Sequence, residues 1–375
     1  MYEIGKEELS ALEKLFSSQQ LFRYQGSQQS QCELMEQNFS SYLGRGNSLL
    51  VTTGTNALIL SLQALGVGPG DEVLVPSYSF IADIVAILKV GAKPIIIKVD
   101  DKLNLDLNDA TQKMSDKTKA MLLVYMDGLF PQIEIYMDFC QKNKLFLIED
   151  VAQALGGEYQ GRRLGSFGDA SCFSFNKDKI ISSGEGGIVN FKHEDHFKKA
   201  LMLHDFPVKF GQTFQQYLSE VPFELGHSMR VSEITAAILN VQLNRLPKIV
   251  SKLRMHRQAL IEAAPDLPWV KAYQDQTQAS TQLLLKCRSP QEVAELTGQL
   301  LNLKVAALPL YGKPVHCYWQ WDELVYPQLL ERKQFEMGML EQRVLLSSVL
   351  KIPISYESEI FEKQIDFIKT LKLNN

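Results

Sequence analysis

Lys179 closes the run Ser174-Phe175-Asn176-Lys177-Asp178-Lys179 and precedes Gly184-Glu185-Gly186-Gly187. A strand-like segment on one side and a glycine-rich turn on the other can fix a lysine at the rim of a pocket. There its amine is a nucleophile toward carbonyl carbon and forms a Schiff base, the attachment on which pyridoxal phosphate chemistry depends. The competing reading of the same residues is a solvated surface lysine beside a loop. What decides between them is what else the chain brings to that pocket.

Asp150 ends the apolar run Leu145-Phe146-Leu147-Ile148, with Glu149 beside it, and Val151-Ala152-Gln153-Ala154 follows. Such a run reads as a buried parallel strand, and residues at the carboxyl ends of these strands face the ligand crevice of an open α/β sheet. A carboxylate there can pair with a protonated pyridine nitrogen and keep the ring positive, the state in which it acts as an electron sink. If a helix starts at Asp150, Gln153 lies one turn further on and its amide reaches the phenolic oxygen of the same ring. The alternative is that Asp150 only caps that helix.

Thr52-Thr53-Gly54-Thr55-Asn56-Ala57-Leu58 lies between the strand-like Leu49-Leu50-Val51 and a helical pattern ending near Leu65. Backbone N–H groups at a helix start, threonine hydroxyls and a glycine that permits close approach make a phosphate site. It is not a P-loop, because no Gly-Lys-Ser/Thr follows. The glycine cluster at 66–70 comes after a helix and lacks dinucleotide spacing, as a plain turn does. In Pro76-Ser77-Tyr78-Ser79-Phe80, just past a strand at 72–75, an aromatic ring is placed to stack on a bound heterocycle or else to sit in the core.

In this order the segments resemble the DegT/DnrJ/StrS family of sugar aminotransferases, α/β proteins of the PLP-dependent transferase fold type I. The resemblance covers residues 49–245. It is carried by Gly54-Thr55 with Ala57-Leu58, Gly70-Asp71-Glu72-Val73, Glu149-Asp150 with Ala152-Gln153-Ala154, Gly165-Ser166-Phe167-Gly168-Asp169, Phe173-Ser174-Phe175 and Gly184-Glu185-Gly186-Gly187. It implies that Lys179, five residues after Ser174, carries pyridoxal 5′-phosphate, and that Lys177 does not. It implies further that Gly54, Thr55 and Ser174 contact the phosphate, that Phe80 stacks on the ring, and that Asp150 and Gln153 take the roles argued above. A twofold homodimer with shared active sites is also implied. Where the family has Gly-x-Asn-x-Arg before a long helix, with the Asn reaching the phosphate in the partner subunit, this chain reads Gly226-His227-Ser228-Met229-Arg230. Ser228 therefore stands at that position with a shorter donor, on a loop at 223–230. Arg230 is either a substrate contact or, as is commoner for an arginine at a helix start, an ion-pair partner. Leu203-His204-Asp205-Phe206-Pro207 departs from the family pattern, and beyond residue 245 only scattered features survive.

The expected activity is an aminotransferase that aminates a keto-sugar nucleotide with an amino acid donor, glutamate by family habit, for amino-sugar or polysaccharide biosynthesis. Lys179 and Asp150 are its catalytic residues. The freed amine of Lys179 would move the proton from the donor, which requires its pKa to fall from the ~10.4 of a free lysine. Two rivals are weighed. One is another PLP reaction on a sugar nucleotide; the dehydratase branch of the family has a histidine at the lysine position, so Lys179 opposes it. The other is a degenerate member that binds PLP or a sugar nucleotide without turnover.

These groups need a scaffold that brings strand ends together. Short apolar runs at 49–52, 72–75, 94–99, 120–125, 145–149, 171–175 and 187–190 alternate with helical patterns, which predicts a mostly parallel central sheet with helices on both faces. Ile234, Ile238, Val241 and Leu246 predict a long helix over 231–257 that Pro247 kinks or interrupts. Segments at 283–285, 293–301 and 305–310 predict a smaller α/β domain. The expected division is a large cofactor domain with an N-terminal arm, 1–246, and a small C-terminal domain, 247–375. The aromatic cluster His316, Tyr318, Trp319 and Trp321 reads as core or interface, or as a surface for a base or sugar.

At 375 residues with a net charge of −4, the chain is long enough for two domains and carries no basic patch, which argues against nucleic acid as a partner. Its five cysteines are scattered, without metal-ligand or dithiol spacing, and their odd count suggests a reducing cytoplasm. No apolar run reaches the roughly 18 residues that a membrane span needs.

Overall fold

In the computed structural model, residues 4–23, 30–205, 225–312, 316–321, 339–355 and 358–371 are described. Each apolar run forms a strand close to its expected ends: β1 (Asn47–Val51), β2 (Glu72–Pro76), β3 (Lys93–Ile97), β4 (Thr118–Val124) and β5 (Phe146–Asp150), then, after the short hairpin β6 (Glu158–Tyr159) and β7 (Arg162–Arg163), β8 (Ala170–Ser174) and β9 (Gly187–Phe191). Apart from the hairpin they form a seven-stranded sheet in the order β1-β9-β8-β5-β4-β2-β3. The pairs from β3 through β8 are parallel, and β9 runs antiparallel to β8 and β1. Val, Leu and Ile fill these strands on both faces because helices cover both.

The covering helices are α1 (Lys6–Ser18), α2 (Gln31–Leu43), α3 (Gly54–Ala64), α4 (Ile81–Lys89), α5 (Leu107–Lys113), α6 (Ile133–Asn143) and α7 (Glu194–His204). The long helix, α8, spans Glu233–Ala263 with Pro247 inside it. Pro247 thus fails to end the helix, against one of the two expectations for it. A proline in a helix interior costs ~3 kcal/mol, whereas each fully buried leucine or isoleucine contributes ~1.5–3 kcal/mol. Leu239, Leu246 and Leu253 of α8 pack into the core around the sheet, and Leu260 and Ile261 into a second core. One rod buried in two cores outweighs one missing hydrogen bond.

The second core lies against an antiparallel four-stranded sheet, β10 (Trp269–Val270), β11 (Gln282–Lys286), β12 (Leu308–Pro309) and β13 (Val349–Pro353), in the order β10-β11-β13-β12. It is covered by α9 (Pro290–Asn302) and α11 (Ser358–Thr370), with α10 (Leu340–Ser347) leading into β13. On β11 the strand period of two divides the faces: Leu283 and Leu285 enter the second core, and Leu284 the first.

The late chain is latched to the carboxyl end of β2. Tyr318 N–H donates to the Ser77 carbonyl at 3.0 Å, and Ser79 N–H to that of His316 at 3.0 Å. Buried Gln342 accepts from Ser77 Oγ and Val99 N–H, both at 2.9 Å. Tyr318 and Trp321 are buried in the first core, as the core reading of the aromatic cluster expected, while His316 turns toward the crevice. Among the described residues no helix is long and apolar enough to cross a membrane.

Candidate active site

The carboxyl ends of β1, β4, β5 and β8 open onto a cavity of about 150 Å³. Gly54, Thr55, Phe80, Asp150, Gln153, Ser174 and Lys179 all line it. They come from separate stretches of chain, and the sheet order brings them together.

At one end of the cavity, α3 begins. Thr53 caps it, its Oγ1 accepting from Asn56 N–H at 3.0 Å, which leaves the N–H groups of the first turn without helical acceptors. Gly54 is required there: a Cβ would lie 2.8 Å from Cβ of Ser174 on β8. The close approach sets the Ser174 hydroxyl beside the helix start, forming a cradle of donors for an anion.

Lys179 lies on the loop after β8, which is pinned at its base. Phe175 N–H donates to the Gly186 carbonyl at 2.9 Å, and Ser182 Oγ to the Phe175 carbonyl at 3.0 Å. Lys179 is half-buried in the cavity wall, whereas Lys177 is exposed and outside it.

Asp150 ends β5 with its side chain at the cavity. No helix starts there. The chain makes successive turns, and Asp150 Oδ1 accepts from Ala152 N–H at 2.9 Å, so the capping role is replaced by a local turn. The turns continue into the β6–β7 hairpin through Gly156, where only glycine fits: its φ is +93° and a Cβ would lie 2.4 Å from Val250 Cγ2. Gln153 still reaches the cavity. Its Oε1 accepts from Asp127 N–H at 3.0 Å and its Nε2 donates to Met126 Sδ at 3.2 Å, which fixes the amide with one Nε2 proton still to place. Phe80 precedes α4 at the cavity mouth, 39% exposed, with its ring edge-on to His316 at 5.6 Å.

Three further carboxylates and a lysine escaped the sequence reading. Glu149, fully buried, accepts from Tyr125 and from three N–H groups of the turn before β8. Asp83, in the first turn of α4, is fully buried in contact with Asp150. Burial pushes the carboxyl of each of Asp83 and Asp150 upward, and for Asp83 the charge of Asp150 adds to it. Asp127, at φ 53°, is held by Tyr78 and by the ammonium of buried Lys351 at 2.9 Å. Lone charges inside apolar runs, as at Ile81-Ala82-Asp83-Ile84 and Val349-Leu350-Lys351-Ile352, were the available signal.

Asp127 borders a second chamber of about 330 Å³ that shares Phe80, Ala152, Gln153, Asn176 and Lys179 with the first and adds Asp178, Ile180, Thr281, Gln282 and His316. It lies between the sheet and β11 and mixes apolar wall with the polar side chains of Asp127, Asn176, Gln282 and His316.

The sequence profile of the DegT/DnrJ/EryC1/StrS aminotransferase family matches residues 2–336. The chain belongs to that family. It is 34% identical over 220 residues to GDP-perosamine synthase of Vibrio cholerae, an alignment that spans 58% of each chain. It is 31% identical over 276 residues to the dTDP-4-dehydro-2,3,6-trideoxy-D-glucose 4-aminotransferase of Saccharopolyspora spinosa, spanning 71% of this chain and 70% of that one. Among solved structures, an aminotransferase from Psychrobacter cryohalolentis superposes with a TM-score of 0.82 at 24% identity, over 98% of this chain and 96% of the other. That likeness establishes the fold.

Enzymes of the DegT/DnrJ/EryC1/StrS family use pyridoxal phosphate, and the donor set here fits that group: an anion cradle at Gly54, Thr55 and Ser174, an amine at Lys179 and a buried carboxylate at Asp150. Ser228, expected at the family's Asn position, is exposed and does not line this chain's own cavity. Its segment is tied to β1 through Thr52 N–H, which donates to the Met229 carbonyl at 3.0 Å. Phe223, at the start of the expected loop, and Phe206-Pro207 lie outside the described residues. Arg230 pairs with buried Asp205 and covers Phe22, the ion-pair role of its two readings.

Proposed function

We propose that this protein is a pyridoxal-phosphate-dependent aminotransferase that transfers an amino group from an amino acid, glutamate by preference, to a keto-sugar carried on a nucleotide. The observation that carries the reading is the convergence of an amine, a buried carboxylate, a side-chain amide and an anion cradle on one cavity beside a second chamber. Bound there, the cofactor supplies a carbonyl for amine exchange and an electron-withdrawing ring.

The protein's own groups divide the remaining work. Gly54 and Thr55 N–H with the Ser174 hydroxyl would hold the phosphate, and Phe80 would stack on the ring. Asp150 would accept from the ring nitrogen, and the Gln153 amide would donate to the phenolic oxygen. Nζ of Lys179 would take the proton from the donor's α-carbon and hand it on within that half-reaction, and in the acceptor half-reaction would deliver a proton to the former keto carbon of the sugar. Thr281, Gln282 and His316 offer hydrogen bonds to sugar hydroxyls in the second chamber. We further assign the working unit as a homodimer, with exposed Ser228 of one copy presented to the phosphate of the other.

A panel of keto-sugar nucleotides incubated with the pyridoxamine-form protein tests the reading. Return of the yellow aldehyde form with one member names the acceptor. Protein that takes up cofactor but is regenerated by none, and that exchanges with no amino acid, is a binder and not a transferase.

A further inference from the structure

Behind Asp150, away from the cavity, sits a second carboxyl with no role in the chemistry above. Asp83 is 0% exposed, on the first turn of α4. Ser79 Oγ donates to its Oδ2, and no donor among the described residues reaches its Oδ1. The carboxyl next to it is that of Asp150, and each acts on the other's charge. Two ionised carboxylates offer only acceptors to each other, so the contact is satisfied only if one of them carries a proton. Asp150 has a backbone donor, Ala152 N–H at 2.9 Å, and is 7% exposed at the cavity, so it is the better place for the negative charge. Asp83 has neither.

We infer that Asp83 is a proton-bearing positioning residue: its carboxylic acid donates to Asp150, fixes that carboxylate and keeps it ionised toward the ring nitrogen. The inference rests on the cofactor reading above for what Asp150 faces, but the shared proton itself does not depend on it. The other titratable groups facing the pair are consistent. Lys179, from the loop after β8, is the cation acting on both carboxyls, and it is too few charges to neutralise two. The Cys172 thiol on β8 is pushed well up by burial, so it stays neutral and adds no charge. The start of α4 favours a carboxylate at Asp83 through its dipole, but that effect is small beside full burial next to another carboxylate.

The test is infrared difference spectroscopy of the apoprotein at neutral pH, wild type against Asp83→Asn. The expected result is a protonated-carboxyl C=O band in the wild type that shifts in D₂O and is lost in Asp83→Asn, whose amide can still donate to Asp150. No band in the wild type, or one unchanged in the variant, overturns the inference. The wild-type measurement needs no variant, so a folding defect cannot hide the answer. Stability gives a second readout. Because burial raises both carboxyls in the folded state, their contribution is present at low pH and is lost as pH rises through their folded pKa. The apoprotein's midpoint temperature should therefore fall over that range, and fall less in Asp83→Asn. Cofactor retention by equilibrium dialysis separates positioning from mere packing. Asp83→Ala, which strips a donor from an ionised acceptor, should weaken it about tenfold or more, and Asp83→Asn should restore it. Equal retention in both variants refutes the positioning role. A protein that shows the band but aminates nothing removes the transferase reading and leaves the carboxyl pair standing.

Discussion

Glu149→Gln exchanges one oxygen for an NH₂ group in a fully buried site, and the hydrogen bonds there set the cost. Oε2 of Glu149 accepts from the Tyr125 hydroxyl and Gly165 N–H, and Oε1 from Phe167 and Gly168 N–H, all at 2.7 Å. Glutamine keeps one oxygen and so keeps two of these bonds; its NH₂ must face the other two donors. Facing Tyr125 is the milder choice, because that hydroxyl can rotate and accept. Burial and the neighbouring Glu149 push the tyrosine well above its usual pKa, so it carries its proton throughout. Gly165 N–H is then left unpaired, in a turn where Gly165 at φ +94° packs on Phe173 and cannot shift freely. Losing the Gly165 bond to a charged group, ~1.5–3 kcal/mol, and reducing the Tyr125 bond to a neutral one, ~1–1.5 kcal/mol, together cost ~2.5–4.5 kcal/mol. Relief of the buried charge returns part of that, for a net loss of about 2–4 kcal/mol.

The assay is urea unfolding of the apoprotein followed by tryptophan fluorescence and circular dichroism, with the midpoint falling at unchanged slope. β8 follows this turn and carries Ser174 at its end, so cofactor retention should weaken as well. A loss below about 1 kcal/mol would refute the argument that four donors converge on an ionised carboxylate.

Lys179→Ala should lose the visible band of bound cofactor while Lys177→Ala keeps it; a borohydride-fixed cofactor peptide mapped to Lys177 would reverse the assignment. Asp150→Asn should retain cofactor but transaminate more slowly by about 10²-fold or more, since a charge stabilising the reacting system is gone. Near-normal turnover in that variant would reduce Asp150 to its local turn with Ala152. Ser228→Asn should hold the cofactor at least as tightly as wild type, and Ser228→Ala should cost no more than one neutral hydrogen bond, ~0.5–1.5 kcal/mol. Sedimentation that shows a monomer at assay concentrations, with these variants silent, would remove the shared site.

What the sequence disclosed follows from which interactions are local. The strands were legible because each is an apolar run of near-minimal length between turn residues, and in a sheet covered on both faces every position wants Val, Ile or Leu. The cavity-lining residues were legible because each sits at the carboxyl end of such a strand, where chain order alone fixes the crevice. The turns after Asp150 were not: Asp150 Oδ1 takes the Ala152 N–H in a local turn, and Gly156 is held at φ +93° with Val250 of α8 packed where a Cβ would lie, a contact that local sequence does not carry. Pro247 left two outcomes open for the same reason: local sequence carries the cost of a proline, and only the two cores carry the burial that outweighs it.

The buried charges show the limit most sharply. A single aspartate in Ile81-Ala82-Asp83-Ile84-Val85 looks like an interruption of an apolar helix face, and a single lysine in Val349-Leu350-Lys351-Ile352 like a flaw in a strand. A buried charge is costly until paired, so each predicts a partner without saying which. For Lys351 the partner is Asp127, more than two hundred residues earlier; for Asp83 it is the carboxylate on which the proposed chemistry turns. A lone charge inside an otherwise apolar element is therefore a pointer to a long-range contact, and in this chain both such pointers lead to residues bordering the crevice.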